Sequence, residues 1–156
     1  MAAKAPWIQR TRISEQVLKE IYASDQDMYP APLTFERLKS WVDACPALSI
    51  CFQATHDGNT IPIGAVIVLP VAREYWEDLL VGKLKEIEID PATMFAPEGE
   101  ADVGLHVFHV ERFSTFARFG HMQLGHFAEF ALEDTRHIVQ EKGWNVLGYS
   151  GTFELR

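Results

Sequence analysis

Cysteine is scarce: Cys45 and Cys51 are the only two in 156 residues. That number cannot build a disulfide framework. Both are expected as small, reduced core residues of a cytoplasmic protein. No apolar run approaches the ~18 residues of a membrane span. Met1 to Trp7 lack the long apolar stretch of a secretory signal. Basic residues are outnumbered, 14 Lys and Arg against 22 Asp and Glu, for a net charge of -8. A general basic face is thereby excluded, and neither nucleic acid nor an anionic membrane is expected as a partner. The aromatic residues are dispersed and form no base-stacking platform. Internal repeats and low-complexity stretches are absent. So are Cys-x-x-Cys and His-Glu-x-x-His motifs. Five of the six histidines fall between residues 106 and 137. His106 and His109 are three apart on an expected strand and so point to opposite faces. His121 and His126 are five apart, an awkward spacing for one helical face. No metal site is expected.

Apolar residues, by contrast, make up 47% of the chain and aromatic residues 12%. That supply of burial excludes disorder over most of the length. The length suits one domain, residues 1–156. Trp7–Arg12 predicts a short strand. Ser14 caps a helix whose Val17, Leu18 and Ile21 share a face. Thr34 caps a second helix, with Phe35, Leu38, Trp41, Val42 and Cys45 at helical spacing until Pro46 stops it. Leu48–Thr55 and Ile61–Leu69 flank an Asp57-Gly58 turn and predict a hairpin. The second of these strands is apolar on both faces and belongs in the middle of a sheet. Glu74–Val81 predicts a short helix. Gly82–Ile89 alternates apolar and charged residues, as a strand with one wet face does. Ile89–Asp102, rich in proline and acid, is a loop. Val103–Phe113 is the next strand, with Leu105, Val107, His109 and Glu111 on one face and His106, Phe108, Val110 and Arg112 on the other. The clearest helix carries Leu124, Phe127, Ala128, Ala131, Leu132, Thr135, Ile138 and Val139 on its apolar stripe and ends at Gly143. Trp144–Ser150 is a last strand. The expected fold is α+β with a mixed sheet, in the order β-α-α-β-β-(α)-β-β-α-β. The crossover should leave its two strands parallel.

This order of elements, the Ile63-Gly64 pair entering the second hairpin strand and the phrase Leu105-His-Val-Phe-His-Val-Glu-Arg-Phe113 resemble the GNAT superfamily of N-acetyltransferases, in particular its small fungal members. Gly82-Lys-Leu-Lys-Glu86 and Val146-Leu-Gly-Tyr-Ser150 add to the resemblance. It implies acetyl-CoA as co-substrate and transfer of its acetyl group directly to an amine. Backbone amides of the central strand, at Val110 and Arg112, would hold the pantetheine arm. The pyrophosphate would sit at the start of the following helix, near Arg118, Gly120, Gln123 and Gly125. Free N–H groups and the positive end of the helix dipole favour an anion there. The family pattern Arg/Gln-x-x-Gly-x-Gly/Ala is not met in any register by Arg118–Phe127. The family's fourth helix and last two strands have no counterpart after Ser150.

An attacking amine must lose a proton, which calls for a base. Glu86 and Glu88, on one face of their expected strand, are the candidates, with His109 next. The acceptor is either a small-molecule or a protein amine, and the acidic surface favours a cationic one. A different class of function, a non-catalytic acetyltransferase-like module for binding or assembly, fits the imperfect phosphate segment. Gly148-Tyr-Ser-Gly151 is out of register with the Gly-x-Ser-x-Gly of nucleophilic hydrolases, and no helix follows it. A sheet ending in Trp144–Ser150 has an open edge, so a homodimer closing that edge is expected. Phe153 and Leu155 would share one face of the segment that packs there.

Overall fold

The computed structural model describes residues 8–26, 33–56, 58–113 and 124–151. Five strands form one sheet in the order β1-β2-β3-β4-β5. These are β1 (Ile8–Arg12), β2 (Ser49–His56), β3 (Asn59–Ala72), β4 (Asp102–Arg112) and β5 (Asn145–Ser150). The first three pairings are antiparallel and β4 with β5 is parallel. The α+β class and the mixed sheet are therefore as expected. Strand β3, the most apolar segment, lies in the middle, where both of its faces are covered.

The helices form where local chemistry starts and stops them. Helix α1 (Glu15–Gln26) follows Ser14, whose Oγ accepts from Val17 N at 3.2 Å. Helix α2 (Phe35–Ala44) follows Thr34, whose Oγ1 accepts from Arg37 N at 3.1 Å. Each cap satisfies one of the amides a helix start leaves unpaired. Helix α3 is Arg73–Leu80, α4 is the single turn Pro91–Met94, and α5 is Leu124–Lys142. Helix α5 ends at Gly143, whose φ of +79° is a left-handed value that glycine adopts without a Cβ penalty.

Two apolar layers sandwich the sheet. On one face α5 presses Phe127, Ala128, Ala131 and Val139 against Phe52, Val66, Val68, Leu105, Val107 and Val110. Phe127 meets Phe52 edge-on, with centroids 5.8 Å apart. Burying such a ring fully is worth roughly 1.5–3 kcal/mol. On the other face α1 and α2 bring Leu18, Ile21, Leu38 and Trp41 onto Ala65, Ile67, Leu69 and Phe108.

Two expectations about strands are corrected. Gly82–Ile89 is not a strand: it is a turn containing one round of 3-10 helix, Glu86–Glu88. β3 pairs directly with β4, so the segment has no place between them. Its own start is bent back, with Lys83 N and Leu84 N both donating to Asp78 O, at 2.8 and 3.1 Å. Its alternating apolar residues are used to cover the α1/α2 side of the core, where Ile89 is fully buried. The second correction concerns faces. A bulge interrupts the β3–β4 register: Ile67 pairs with His109 and Val68 with Val107, leaving Phe108 as the extra residue. Ile67 faces α1 and α2, and His109, opposite it, does so too. Leu69, partner of His106, also lies on that side. His106 and His109 therefore share a face, and Val110 has joined Leu105 and Val107 on the α5 side.

Candidate functional site

Strand β4 pairs with β5 only as far as His106 with Ser150. Beyond that point β4 runs on from Val107 to Arg112 with β3 on one side and, among the described residues, no strand on the other. At the branch point four side chains from four separate elements meet. His106 Nδ1 lies 2.9 Å from Ser150 Oγ. His106 Nε2 makes a short hydrogen bond to Glu86 Oε2. Trp76 Nε1, on α3, donates to Ser150 Oγ at 2.9 Å. The His106 side chain is 7% exposed and that of Glu86 17%.

The directions inside this chain follow the tautomer of His106, and its two ends have one direction each. Trp76 can only donate, and an ionised Glu86 can only accept. With Nε2–H donated to the carboxylate, Nδ1 of a neutral His106 is an acceptor. The Ser150 hydroxyl then donates to it while accepting from Trp76. In that tautomer all donors run one way, from Trp76 to Glu86.

Glycines make room for it. Gly104 and Gly148 are partners in the β4–β5 ladder. The indole of Trp76 lies across both: a Cβ added to Gly104 would overlap the ring outright, and one on Gly148 would come within 3.0 Å of Cη2. A glycine pair within strands weakens them but permits close approach. Here the approach is what carries Trp76 Nε1 to Ser150.

The segment bearing Glu86 is pinned from two sides. Trp41 Nε1 donates to Ile89 O at 2.8 Å, and Ala96 N donates to Pro70 O at 2.8 Å. Glu88 turns away, closing a capping box by accepting from Lys85 N at 2.8 Å. Thus the two glutamates expected on one strand face are separated, because the 3-10 turn replaces the strand, and only Glu86 reaches the sheet. His109 is buried, with Nε2 2.9 Å from Glu111 Oε1, a pairing along its own strand. Val110 is 2% exposed, so its side chain belongs to the core and only its backbone can serve a ligand. Arg112 ends β4, and its buried Nε has no hydrogen-bond partner among the described residues. Gly125 lies in the first turn of α5. Arg118, Gly120 and Gln123, and likewise Phe153 and Leu155, lie outside the described residues. Among the described residues no group of three metal-binding side chains occurs, and no helix is long and apolar enough to cross a membrane.

Reading the sequence alone misses His106, Ser150 and Trp76. The only signal for Ser150 was the Gly148-Tyr-Ser-Gly151 segment, whose spacing argued against it. A residue 44 positions from its partner shows in the sequence only if the parallel register is known.

No protein-family model matches this chain, and no curated protein does either. Among solved structures it is similar to the crystal structure of a ribosomal-protein-alanine N-acetyltransferase from Brucella melitensis biovar Abortus 2308. The identity is 12%, the match covers 93% of this chain and 80% of that one, and the TM-score is 0.45.

Proposed function

We propose that the protein is an acyl-CoA-dependent N-acyltransferase of the GNAT type, moving an acetyl group from acetyl-CoA to an amine. The observation that carries this is the branch point: β4 leaves β5 at a buried histidine–glutamate pair and runs on to Arg112 with, among the described residues, no strand paired on that side. Where no strand pairs with it, a strand edge can offer backbone N–H and C=O groups to the amides of a pantetheine arm. Arg112 Nε is a buried donor without a partner among the described residues, suited to the anionic end of the same ligand. The first turn of α5, with Gly125, supplies the positive end of a helix dipole. In this reading Arg118, Gly120 and Gln123 complete the phosphate contacts.

Glu86 and His106 are the base in this scheme, in place of Glu88 or His109. The amine reaches them through the Ser150 hydroxyl. As nitrogen attacks the thioester carbon, its proton passes to Ser150 Oγ and the hydroxyl proton to His106 Nδ1. Glu86, accepting from Nε2–H, stabilises the imidazolium that forms. The homodimer proposed alongside has its support in edge strand β5, where Val146, Leu147 and Tyr149 are exposed.

Calorimetric titration of the whole chain with acetyl-CoA tests the reading. Binding is expected, with a rise in Tm; at ~100 times Kd the ligand adds about 2.7 kcal/mol. No heat and no thermal shift at millimolar ligand would refute it. Glu86→Gln should lower transfer about 10²–10⁴-fold, far more than Glu88→Gln, with acetyl-CoA affinity retained. Equal effects of the two variants would move the base elsewhere.

A further inference from the structure

We infer that Ser150 is itself an acyl acceptor, and that the Glu86–His106–Ser150 chain hydrolyses small activated acyl esters and thioesters through an acyl-serine. This goes beyond the transferase reading, since it needs neither CoA nor an amine. The signature of an activated nucleophile is a hydroxyl within hydrogen-bond reach of a base that a third group orients. All three members are present: Ser150 Oγ is 2.9 Å from His106 Nδ1, and Glu86 holds Nε2. The roles of the two ring nitrogens are exchanged relative to the familiar serine-hydrolase order, but the proton logic is the same. Geometry and roles define such a triad, not sequence position. Ser150 is part-exposed where His106 is buried, so of these two the hydroxyl rather than the imidazole is the group that an ester reaches. Trp76 adds a fourth contact: its N–H points at Oγ from 2.9 Å and favours negative charge on that oxygen.

A purely structural role explains less of this arrangement. Holding α3 and the Glu86 turn on the sheet needs packing, which Trp76 and Ile89 already supply. Burying an ionisable pair for that purpose costs desolvation and often gains nothing over apolar residues.

The chemistry balances with water as the only co-reactant. Oγ attacks the carbonyl carbon, and the hydroxyl proton moves to His106 Nδ1. The Oγ–C bond forms and the bond from carbon to the leaving oxygen or sulfur breaks. The leaving group takes the proton from Nδ1 and departs as alcohol or thiol. Water then gives a proton to Nδ1 while its oxygen attacks the acyl carbon. The Oγ–C bond breaks, the acid departs and the proton returns to Oγ.

The full-length chain treated with p-nitrophenyl acetate tests this. A burst of p-nitrophenolate stoichiometric with protein is expected, followed by slower turnover. Intact mass should rise by one acetyl group, mapped by peptide mass spectrometry to Ser150. Ser150→Ala should abolish burst and adduct while circular dichroism shows a folded protein. Ser150→Cys should keep an acetyl adduct, now on sulfur, which a latch role would not produce. Glu86→Gln should slow acylation about 10²–10⁴-fold. An adduct found only on other residues, a burst that survives Ser150→Ala, or a folded Ser150→Cys protein that takes no acetyl would each overturn the inference. Failure here and failure of the transferase reading are distinct. Acetylation of Ser150 by the ester without acetyl-CoA binding would refute only the transferase. Transfer from acetyl-CoA without any acyl-Ser150 would refute only the nucleophile.

Discussion

Gly104→Ala is the substitution that most directly probes the site's construction. One methyl group is added on β4, in the middle of a sheet, at a residue without unusual backbone angles. Backbone entropy alone makes the change favourable, since glycine in a strand interior costs roughly 0.5–1 kcal/mol relative to alanine. The indole of Trp76 reverses the sign. The new Cβ would coincide with the ring, so the ring must lift by more than an atomic radius. Overpacking of this kind costs typically about 1–3 kcal/mol. Lifting the ring also draws Nε1 away from Ser150 Oγ, now at 2.9 Å, and a lost hydrogen bond adds about 1 kcal/mol. The net destabilisation is about 1–3 kcal/mol, or a fall in Tm of about 2–12 °C for a domain of this size. Urea unfolding followed by tryptophan fluorescence measures it. The Gly104→Ala/Ser150→Ala double variant adds a sharper check. If Gly104→Ala has already broken the Trp76–Ser150 bond, Ser150→Ala costs about 1 kcal/mol less in that background. A Gly104→Ala protein as stable as the parent, or strict additivity of the pair, would show that the glycine floor does not position Trp76.

Two further outcomes follow from the packing around the site. Trp41→Phe removes the donor to Ile89 O, where both residues are fully buried; leaving that carbonyl unpaired should cost about 1–3 kcal/mol by chemical denaturation, and an unchanged midpoint would mean that the Glu86 segment is not anchored there. Burial raises the Cys51 thiol from 9.0 to about 11, so the folded state favours the neutral form. The associated stability is complete below 9.0 and is lost as pH climbs through that interval to about 11. Cys51→Ala should flatten this alkaline decline in unfolding free energy, and an identical decline in the variant would assign it to other groups.

Features set by neighbours a few residues away were legible in the sequence. Ser14 and Thr34 cap their helices because a side-chain oxygen reaches an amide three residues on. Gly143 ends α5 because only glycine enters the left-handed region cheaply. The hairpin around Gly58 and the apolar stripe of α5 are written in short-range periodicity. The tertiary structure alone decided what depends on pairing across the chain. Gly82–Ile89 has a strand's alternation, yet β3 and β4 pair directly and leave it outside the sheet, so that Glu86 and Glu88 part. The bulge at Phe108 exists only relative to β3, and it turns His109 to the side of His106. Ser150 meets His106 because a parallel ladder sets them level, and Trp76 reaches Ser150 because Gly104 and Gly148 fall side by side in that ladder. Period-two patterns say which residues share a face of an unbroken strand. They carry nothing about register or bulges, because those are settled by the free energy of long-range packing rather than by any residue's own preference.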